Sequence, residues 1–211
     1  MNKLTSHFFE ASINIFTPAD VATAISGTTY SQYGLIKRAM ASGEILNIRR
    51  GLYCLAPKYQ KTPLSSYSLA EHIYGPSYIS TETALSFHGW IPEAVYACTC
   101  CSYNAANEFT TPLGIFSYKP VPQRTFYFDV ERQKDENGNV FFMATPAKAL
   151  ADYVYIHRLH WNGIADAAMS LRIDEEDLMT VKPQELSELI NNYKNGRIVR
   201  FLSGWLGALK S

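Results

Sequence analysis

The feature of this sequence that most constrains its fold is a pair of helix start and stop signals between residues 17 and 43. Thr17 is a typical N-cap in front of a proline, and Gly27 is a typical residue at a helix end. Thr28-Thr29 then caps a second helix over about residues 30–42, which Gly43 ends. Two short helices joined by a few residues that include a glycine indicate a helix-turn-helix.

The second of these helices has two predicted faces. At 100° per residue, the residues predicted to pack inward are Tyr33, Ile36, Ala39 and Met40. The opposite face is polar or small and carries two cations; it consists of Tyr30, Ser31, Gly34, Lys37, Arg38 and Ala41. Such a face fits the major groove of DNA, with the cations near phosphates. The predicted DNA contacts on this helix are Thr29, Tyr30, Ser31, Lys37 and Arg38.

A short β-hairpin is predicted after the second helix. Residues 45–48 and 52–55 have the composition of strands, and Arg49-Arg50-Gly51 lies between them as the turn. A helix-turn-helix followed by such a hairpin is a winged helix, whose tip would place Arg49 and Arg50 on the DNA backbone or in the minor groove. The alternative is a fold used only for protein contacts, with both arginines as ordinary solvated turn residues.

The rest of the chain predicts a second domain of mixed structure. Residues 57–63 are polar with a proline at each end, which indicates a linker. Strands are expected at 96–102, 115–121 and 125–130, and helices at 64–74, 80–88 and 145–157, before a helical last third. The predicted fold class is therefore α+β. It combines an N-terminal winged helix-turn-helix (1–56), a linker (57–63) and a mixed α/β second domain (64–211) with a helical C-terminal end.

The charge distribution separates the two predicted domains. Residues 1–63 carry a net charge of +4, and the remaining residues carry −4, in a chain whose total is zero. A basic N-terminal part joined to an acidic C-terminal part is typical of a nucleic-acid-binding module attached to a second unit. The final helix is basic through Lys194, Arg197, Arg200 and Lys210. These four cations would meet a nucleic acid or an acidic partner, with a solvated helix end as the alternative.

Composition and length favour a cytoplasmic protein without membrane contact. No apolar run approaches the roughly 20 residues that span a bilayer. The apolar stretch near the N-terminus is too short for a signal peptide, because Glu10 interrupts it. Four cysteines among 211 residues do not indicate a disulfide framework.

Candidate enzymatic or metal sites are weak. Cys98, Cys100 and Cys101 form one cluster without a second cysteine pair, so zinc would need His157 and His160 nearby in space. Cys98 and Cys100 are expected on one strand face and Cys101 on the other. We predict small buried cysteines, and neither a metal nor another cofactor.

A metal-dependent nuclease would need converging carboxylates beside a lysine. Asp129 and Glu131 are expected on one strand face, with Glu82 elsewhere, but no Glu-x-Lys or Asp-x-Lys tripeptide occurs. Lys148 and Asp152, four residues apart on one helix face, are expected to support helix packing. The chain also lacks a P-loop, a dinucleotide-binding glycine pattern and a Gly-x-Ser-x-Gly motif. We therefore predict that it is not an enzyme.

Three segments resemble the AbiEi-like family of antitoxins and transcriptional regulators of viral defence systems. The first is Gly43-Glu44-Ile45 with Arg50-Gly51-Leu52-Tyr53. The second is the segment 78–90, YISTETALSFHGW, and the third is the segment 145–152, TPAKALAD. The residues after about 160 show no such match.

The resemblance implies a repressor that binds inverted or direct repeats in the double-stranded promoter DNA of its own operon. It also implies a second domain that counteracts a nucleotidyltransferase-like toxin in a type IV toxin–antitoxin system, without a stable complex between the two proteins. Two alternatives remain from other classes. One is a metal-dependent nuclease that a winged helix directs to DNA, and the other is a protein-interaction adaptor whose winged helix never touches DNA.

Overall fold

The computed structural model describes residues 1–93 and 95–210, so Ala94 and Ser211 of the predicted second domain lie outside the described residues. Within that range the protein is α+β, with ten α-helices and two β-sheets. The helices are α1 Lys3–Glu10, α2 Pro18–Ala24, α3 Thr29–Ala41, α4 Ser66–Ile73, α5 Thr81–Phe87, α6 Pro146–Ile156, α7 Ile164–Leu171, α8 Glu175–Met179, α9 Pro183–Asn192 and α10 Gly196–Ala208. The strands are β1 Ile15–Phe16, β2 Ile45–Arg49, β3 Leu52–Leu55, β4 Ser77–Ile79, β5 Ala97–Ser102, β6 Asn107–Thr111, β7 Gly114–Lys119, β8 Val130–Lys134 and β9 Val140–Ala144. No described helix is both long and apolar enough to cross a membrane.

The local signals around α2 and α3 act as predicted. The Thr17 hydroxyl accepts a hydrogen bond from the Asp20 amide, and the Asp20 carboxylate accepts one from the Thr17 amide at 2.7 Å, which forms a capping box. The Thr28 hydroxyl caps α3 by accepting from the Ser31 amide. Gly43 follows α3 with a φ of +65°, a conformation that glycine adopts without strain. Both helices are thus confirmed.

The N-terminal helices pack on a small antiparallel sheet of order β1-β3-β2. Neither α1 nor β1 was expected from the sequence. The Phe8 ring of α1 stacks on Phe16 of β1 with 4.2 Å between ring centroids, and both residues are fully buried. These two additional elements complete a core of their own, whose members include Leu4, Val21, Ile25, Ile36, Ile45 and Leu55.

The inward face of α3 differs from the prediction at one position. Ile36 and Ala39 are buried and Met40 is half-buried, but Tyr33 is 51% exposed, so its predicted inward orientation is wrong. Gln32 is buried instead, and its Nε2 donates a 2.8 Å hydrogen bond to the backbone carbonyl that ends α2. Carbonyls at a helix end lack partners inside the helix, so a buried amide at this position satisfies one of them.

The larger sheet has six strands in the order β6-β7-β5-β4-β9-β8. The pairs β4–β9 and β5–β7 are parallel, and the other pairs are antiparallel. One face carries α4, since the hydroxyl of Tyr118 in β7 donates to the Ala70 carbonyl of that helix at 2.7 Å. The opposite face carries α6, because the thiol of Cys101 in β5 donates a 3.3 Å hydrogen bond to Asp152 of that helix. Sγ of Cys98 lies 3.9 Å from Sγ of Cys100, as the predicted alternation along β5 requires.

The hairpin of β2 and β3 connects the two cores. Ile48, Leu52 and Cys54 belong to the larger core, which also includes Leu69 and Ile73 of α4. The segment predicted as a linker contains a 3₁₀ turn at Pro57–Tyr59. The Gln60 side chain holds it at both ends, because Nε2 donates to the Leu55 carbonyl at 2.6 Å and Oε1 accepts from the Leu64 amide at 2.8 Å. The N-terminal unit therefore lies on the α4 side of the larger sheet.

The strand predicted over residues 125–130 is wrong. The chain forms a turn there, in which the Phe128 amide donates to the Thr125 carbonyl, and β8 begins only at Val130. The Thr125 amide is bound by the side chain of Asn192 at 2.8 Å, so this backbone pairs with the end of α9 rather than with a strand. The aromatic residues that suggested a strand pack against the core instead, since the ring centroids of Phe126 and Tyr78 lie 5.1 Å apart.

A closed ring of hydrogen bonds joins Lys148 to Asp152 in the larger core. Both residues lie on α6 and are fully buried. Lys148 Nζ donates to Tyr193 Oη at 3.2 Å, and Tyr193 Oη donates to Asp152 Oδ1 at 2.6 Å. On the other side, Lys148 Nζ donates to Gln123 Oε1 at 2.7 Å, Gln123 Nε2 donates to Tyr78 Oη at 2.9 Å, and Tyr78 Oη donates to Asp152 Oδ2 at 3.0 Å. Polar bridges thus connect the two charges on both sides.

Neighbouring side chains provide further contacts for the two charged groups of this buried ring. Asp152 Oδ2 also accepts from Ser80 Oγ at 2.7 Å and from the Cys101 thiol. Lys148 Nζ lies 4.9 Å from the ring centroid of Tyr78 and 5.0 Å from that of Tyr193, within cation–π distance of both. Burial, together with the negative charge of Asp152, raises the pKa of both tyrosines, which therefore keep the protons that they donate. Lys148 and Asp152 accordingly support packing, as their spacing predicted.

Removing one charged member of the ring would leave its partners buried without hydrogen bonds. We predict that Lys148→Met and Asp152→Ala each lower the free energy of unfolding by about 3–5 kcal/mol. Glu136→Ala removes an exposed carboxylate near the turn before β9 and should change it by less than about 0.5 kcal/mol. Urea denaturation followed by circular dichroism measures these differences.

Tyr193→Phe provides a milder test if the charge variants do not fold. It deletes a hydroxyl that both accepts and donates within the ring, at an expected cost of about 1–3 kcal/mol. Unfolding of Tyr193→Phe at the same urea concentration as the wild type would contradict the structural role of the ring.

Candidate nucleic-acid interface

Helix α3 presents its first residues to solvent. Tyr30 is 89% exposed, and Thr29 and Ser31 are also exposed. The Ser31 hydroxyl donates to the Thr28 carbonyl at 2.8 Å, which fixes it against the helix start. Tyr30 and Thr29 make no side-chain hydrogen bond within the described chain, so their hydroxyls remain available to another molecule.

Two cations occupy the same helix about two turns further along. Lys37 and Arg38 are exposed, and neither forms an ion pair with a carboxylate of the described residues. Lys37 Nζ lies 5.2 Å from the ring centroid of Tyr33, which orients it along the helix surface. A Cβ at Gly34 would lie 3.4 Å from an Nη atom of Arg38, an ordinary van der Waals distance. The predicted cations of α3 therefore carry charge that no carboxylate of the described residues pairs with.

The two arginines of the hairpin differ in their surroundings. Gly51 has a φ of +77° and closes the turn. Arg50 is exposed, and its side chain makes no hydrogen bond or ion pair with the described part of the chain. The Arg49 guanidinium donates to the Arg50 carbonyl at 3.2 Å and to the His72 carbonyl, at the end of α4, at 3.5 Å. Arg50 is thus fully available at the tip, whereas Arg49 is directed toward α4.

Contrary to the prediction from the sequence, the four C-terminal cations do not all lie on the final helix. Arg197 and Arg200 lie on α10, whereas Lys194 precedes that helix and Lys210 follows it. The other side of α10 is apolar and fully buried through Ile198, Phe201, Leu202 and Trp205. Arg197 is half-buried beside a surface cleft, and the other three cations are exposed. Their contact with a nucleic acid or an acidic partner stays a prediction.

The cysteine cluster is a buried part of the sheet. Cys98, Cys100 and Cys101 are all buried, and burial raises the pKa of Cys100 and Cys101 well above the ordinary value. Zinc binds the thiolate form, which such burial disfavours. Among residues 1–93 and 95–210, no three histidine, cysteine, aspartate or glutamate side chains converge as metal ligands.

The carboxylates considered for a nuclease occupy different environments. Asp129 lies in the turn before β8 with a φ of +59°, so its predicted position on a strand face with Glu131 is wrong. Its Oδ2 accepts a 2.7 Å hydrogen bond from the hydroxyl of Thr145, the N-cap of α6. Glu82, at the start of α5, instead contacts His157, with 2.8 Å between its Oε1 and the imidazole Nε2. The geometry gives no reason to favour the nuclease alternative.

Several residues with clear roles went unnoticed in the sequence. Gln123 and Tyr193 complete the buried ring, and Lys119 and Arg158 line the cleft beside Arg197. The partners of each of these residues come from parts of the chain that are distant in sequence. Local patterns give no signal for such residues.

Comparison with known proteins adds no further identification: no protein-family model matches the chain, and no curated protein matches it significantly.

A group of carboxylates near α9 has a predictable effect on stability. Burial and the neighbouring carboxylates of Asp129, Glu131 and Glu188 raise the pKa of Glu185 from 4.5 to about 7, against an opposing effect of Lys182. The folded protein therefore keeps a proton on Glu185 that the unfolded chain releases above 4.5. The stability that this proton provides is complete below the unfolded pKa and is lost as the pH rises through about 7.

We predict that Glu185→Gln, which stays neutral, loses less stability than the wild type between about pH 5 and about pH 8. The difference in melting temperature between variant and wild type should therefore grow in favour of the variant as the pH rises. Glu176→Gln, an exposed position on α8, is the control and should follow the wild type. An equal difference at both pH values would show that Glu185 titrates normally.

Proposed function

We propose that this protein is a DNA-binding transcriptional autorepressor whose residues 1–56 form a winged helix-turn-helix. The observation that carries the proposal is the exposed surface of α3, where Tyr30, Lys37 and Arg38 have no acidic partner among residues 1–93 and 95–210. The element order α1-β1-α2-α3-β2-β3 with a β1-β3-β2 sheet supports it, because this arrangement is typical of winged helices. The positive net charge of residues 1–63 supports it further.

In this proposal α3 lies in the major groove of double-stranded promoter DNA. Its N-terminal residues Thr29, Tyr30 and Ser31 meet base edges, as in other helix-turn-helix proteins, and Lys37 and Arg38 bind phosphates. The hairpin is the wing, with Arg50 at the backbone or in the minor groove. Arg49 binds DNA on the same surface once its guanidinium has given up the hydrogen bond to the His72 carbonyl. That hydrogen bond is weak, at 3.5 Å.

We further propose that the protein is a cytoplasmic antitoxin, in which the second domain counteracts a nucleotidyltransferase-like toxin. The resemblance of the segments 43–53, 78–90 and 145–152 to the AbiEi-like family supports this role. The resemblance also supports repeats in the protein's own promoter as the operator, and neutralisation without a stable complex. Helix α3 packs in the N-terminal core, whereas the buried ring lies in the larger core, which the hairpin joins through Ile48, Leu52 and Cys54.

We predict that Lys37→Ala/Arg38→Ala weakens binding to the promoter DNA at least about tenfold, since two phosphate contacts are lost. Electrophoretic mobility-shift titrations at several salt concentrations measure the affinity. The slope of log affinity against log salt should fall by about two, one unit for each lost phosphate contact.

The matched control for this experiment is Lys58→Ala/Lys61→Ala, which removes the same charge outside α3 and the hairpin. It should retain nearly full affinity if α3 makes the contacts. Equal weakening by both double variants would mean that DNA responds only to net charge, and the assignment of α3 would then be wrong.

Neutralisation is tested by rescue of growth during expression of the toxin encoded beside this protein. We predict that full-length Lys37→Ala/Arg38→Ala loses operator binding yet rescues growth as the wild type does, because α3 lies outside the second domain. Tyr193→Phe, which weakens the second core, should rescue less at the same expression level. Loss of rescue in a stable Lys37→Ala/Arg38→Ala protein would contradict the division of roles.

A further inference from the structure

A cleft on the second domain brings together three cations from separate parts of the chain. Lys119 ends β7, Arg158 follows α6, and Arg197 lies in the first turn of α10. The cleft has a volume of about 450 Å³. The remainder of its lining is apolar or aromatic and comprises Ala106, Pro120, Tyr155 and Ile156.

These three cations have no paired counter-charge among the described residues. None of their side chains donates a hydrogen bond or forms an ion pair there. The close contacts between basic and acidic side chains in the described chain are His157 with Glu82 and Arg172 with Glu93, neither of which uses a cation of the cleft. Like charges held together without counter-charges repel one another, and they attract an anion that enters between them.

The cleft lies across the larger sheet from the proposed DNA-binding unit. Tyr118 points to the α4 side, where the N-terminal unit packs, because its hydroxyl bonds the Ala70 carbonyl. Side chains alternate along a strand, so Lys119 points to the α6 side. The cations of α3 and those of the cleft therefore belong to two separate surfaces.

We propose that the cleft binds a nucleoside phosphate, with the phosphate between Lys119, Arg158 and Arg197. Guanidinium groups match phosphate oxygens with paired, charge-assisted hydrogen bonds, and the lysine adds a third positive charge. The base lies against Tyr155 and its apolar neighbours, since an aromatic ring stacks on any base. The volume falls within the roughly 300–1,000 Å³ range of small-molecule sites.

A smaller cavity of about 50 Å³ shares Lys119 and Ile156 with the cleft and extends it. Its lining residues include Thr81, Thr99 and Ser117. The Thr81 hydroxyl donates to that of Thr99 at 2.8 Å, and the Thr99 hydroxyl donates to the Ser80 carbonyl at 2.9 Å. Ser117 therefore offers the hydroxyl that can hydrogen-bond the sugar of the ligand. Glu82 also lines this cavity, and its Oε1 lies 2.8 Å from Nε2 of His157.

The ligand is either a free nucleotide or a nucleoside phosphate within single-stranded RNA, and the experiment separates the two. Fluorescence anisotropy of the full-length protein is measured with a labelled ATP and with a labelled uridine oligonucleotide. We expect binding of at least one probe, and Arg158→Ala/Arg197→Ala should weaken it about tenfold or more. The matched control Arg132→Ala/Lys134→Ala removes the same charge from exposed positions on β8, outside the cleft, and should change the affinity less than about twofold.

Each outcome decides the proposal. Binding of ATP alone identifies a free nucleotide, and binding of the oligonucleotide alone identifies RNA, provided that Arg158→Ala/Arg197→Ala loses it and Lys37→Ala/Arg38→Ala retains it. Absence of binding to both probes at millimolar concentrations would overturn the proposal. Equal weakening by the cleft variant and its control, with unchanged melting temperatures, would also overturn it.

Discussion

The buried ring that joins Lys148 to Asp152 is the interaction on which the second domain depends. Two opposite charges in an apolar core are costly unless every donor and acceptor is used. Here Tyr193 bridges the two charges on one side, and Gln123 and Tyr78 bridge them on the other. Ser80 and Cys101 donate further hydrogen bonds to the Asp152 carboxylate. The ring links β4, β5 and α6 with the chain segments after β7 and α9, so one network fixes their positions together.

This arrangement gives the larger sheet two faces with different neighbours. The N-terminal unit packs beside α4 on one face, through apolar residues of its hairpin. Helix α6 lies on the other face, where the ring holds it against β4 and β5. The larger sheet therefore lies between the exposed cations of α3 and the cations of the cleft. This arrangement would keep the proposed DNA contact and the proposed binding of a second anionic ligand apart.

The sequence predicts those parts of the fold that short-range signals control. Thr17, Thr28 and Thr145 cap the helices that follow them, and Gly43 and Gly51 adopt the positive φ values that end α3 and close the hairpin. The orientation of Tyr33 was not predictable from spacing, because the carbonyl that ends α2 requires the amide of Gln32 in its place. The turn at residues 125–129 escaped prediction for a similar reason, since Asn192 binds its backbone. The ring and the cleft join residues far apart in the chain, so no local pattern reveals them.

The most direct test of this account is hydrogen–deuterium exchange of the full-length protein with and without its promoter DNA. Contacts between α3 and DNA would slow exchange of the backbone amides that they cover, and the wing would respond in the same way. The account predicts protection within residues 28–42 and 48–53, and unchanged exchange at residues 118–120, 155–159 and 196–198 around the cleft. Protection of the cleft segments without protection of α3 would contradict it.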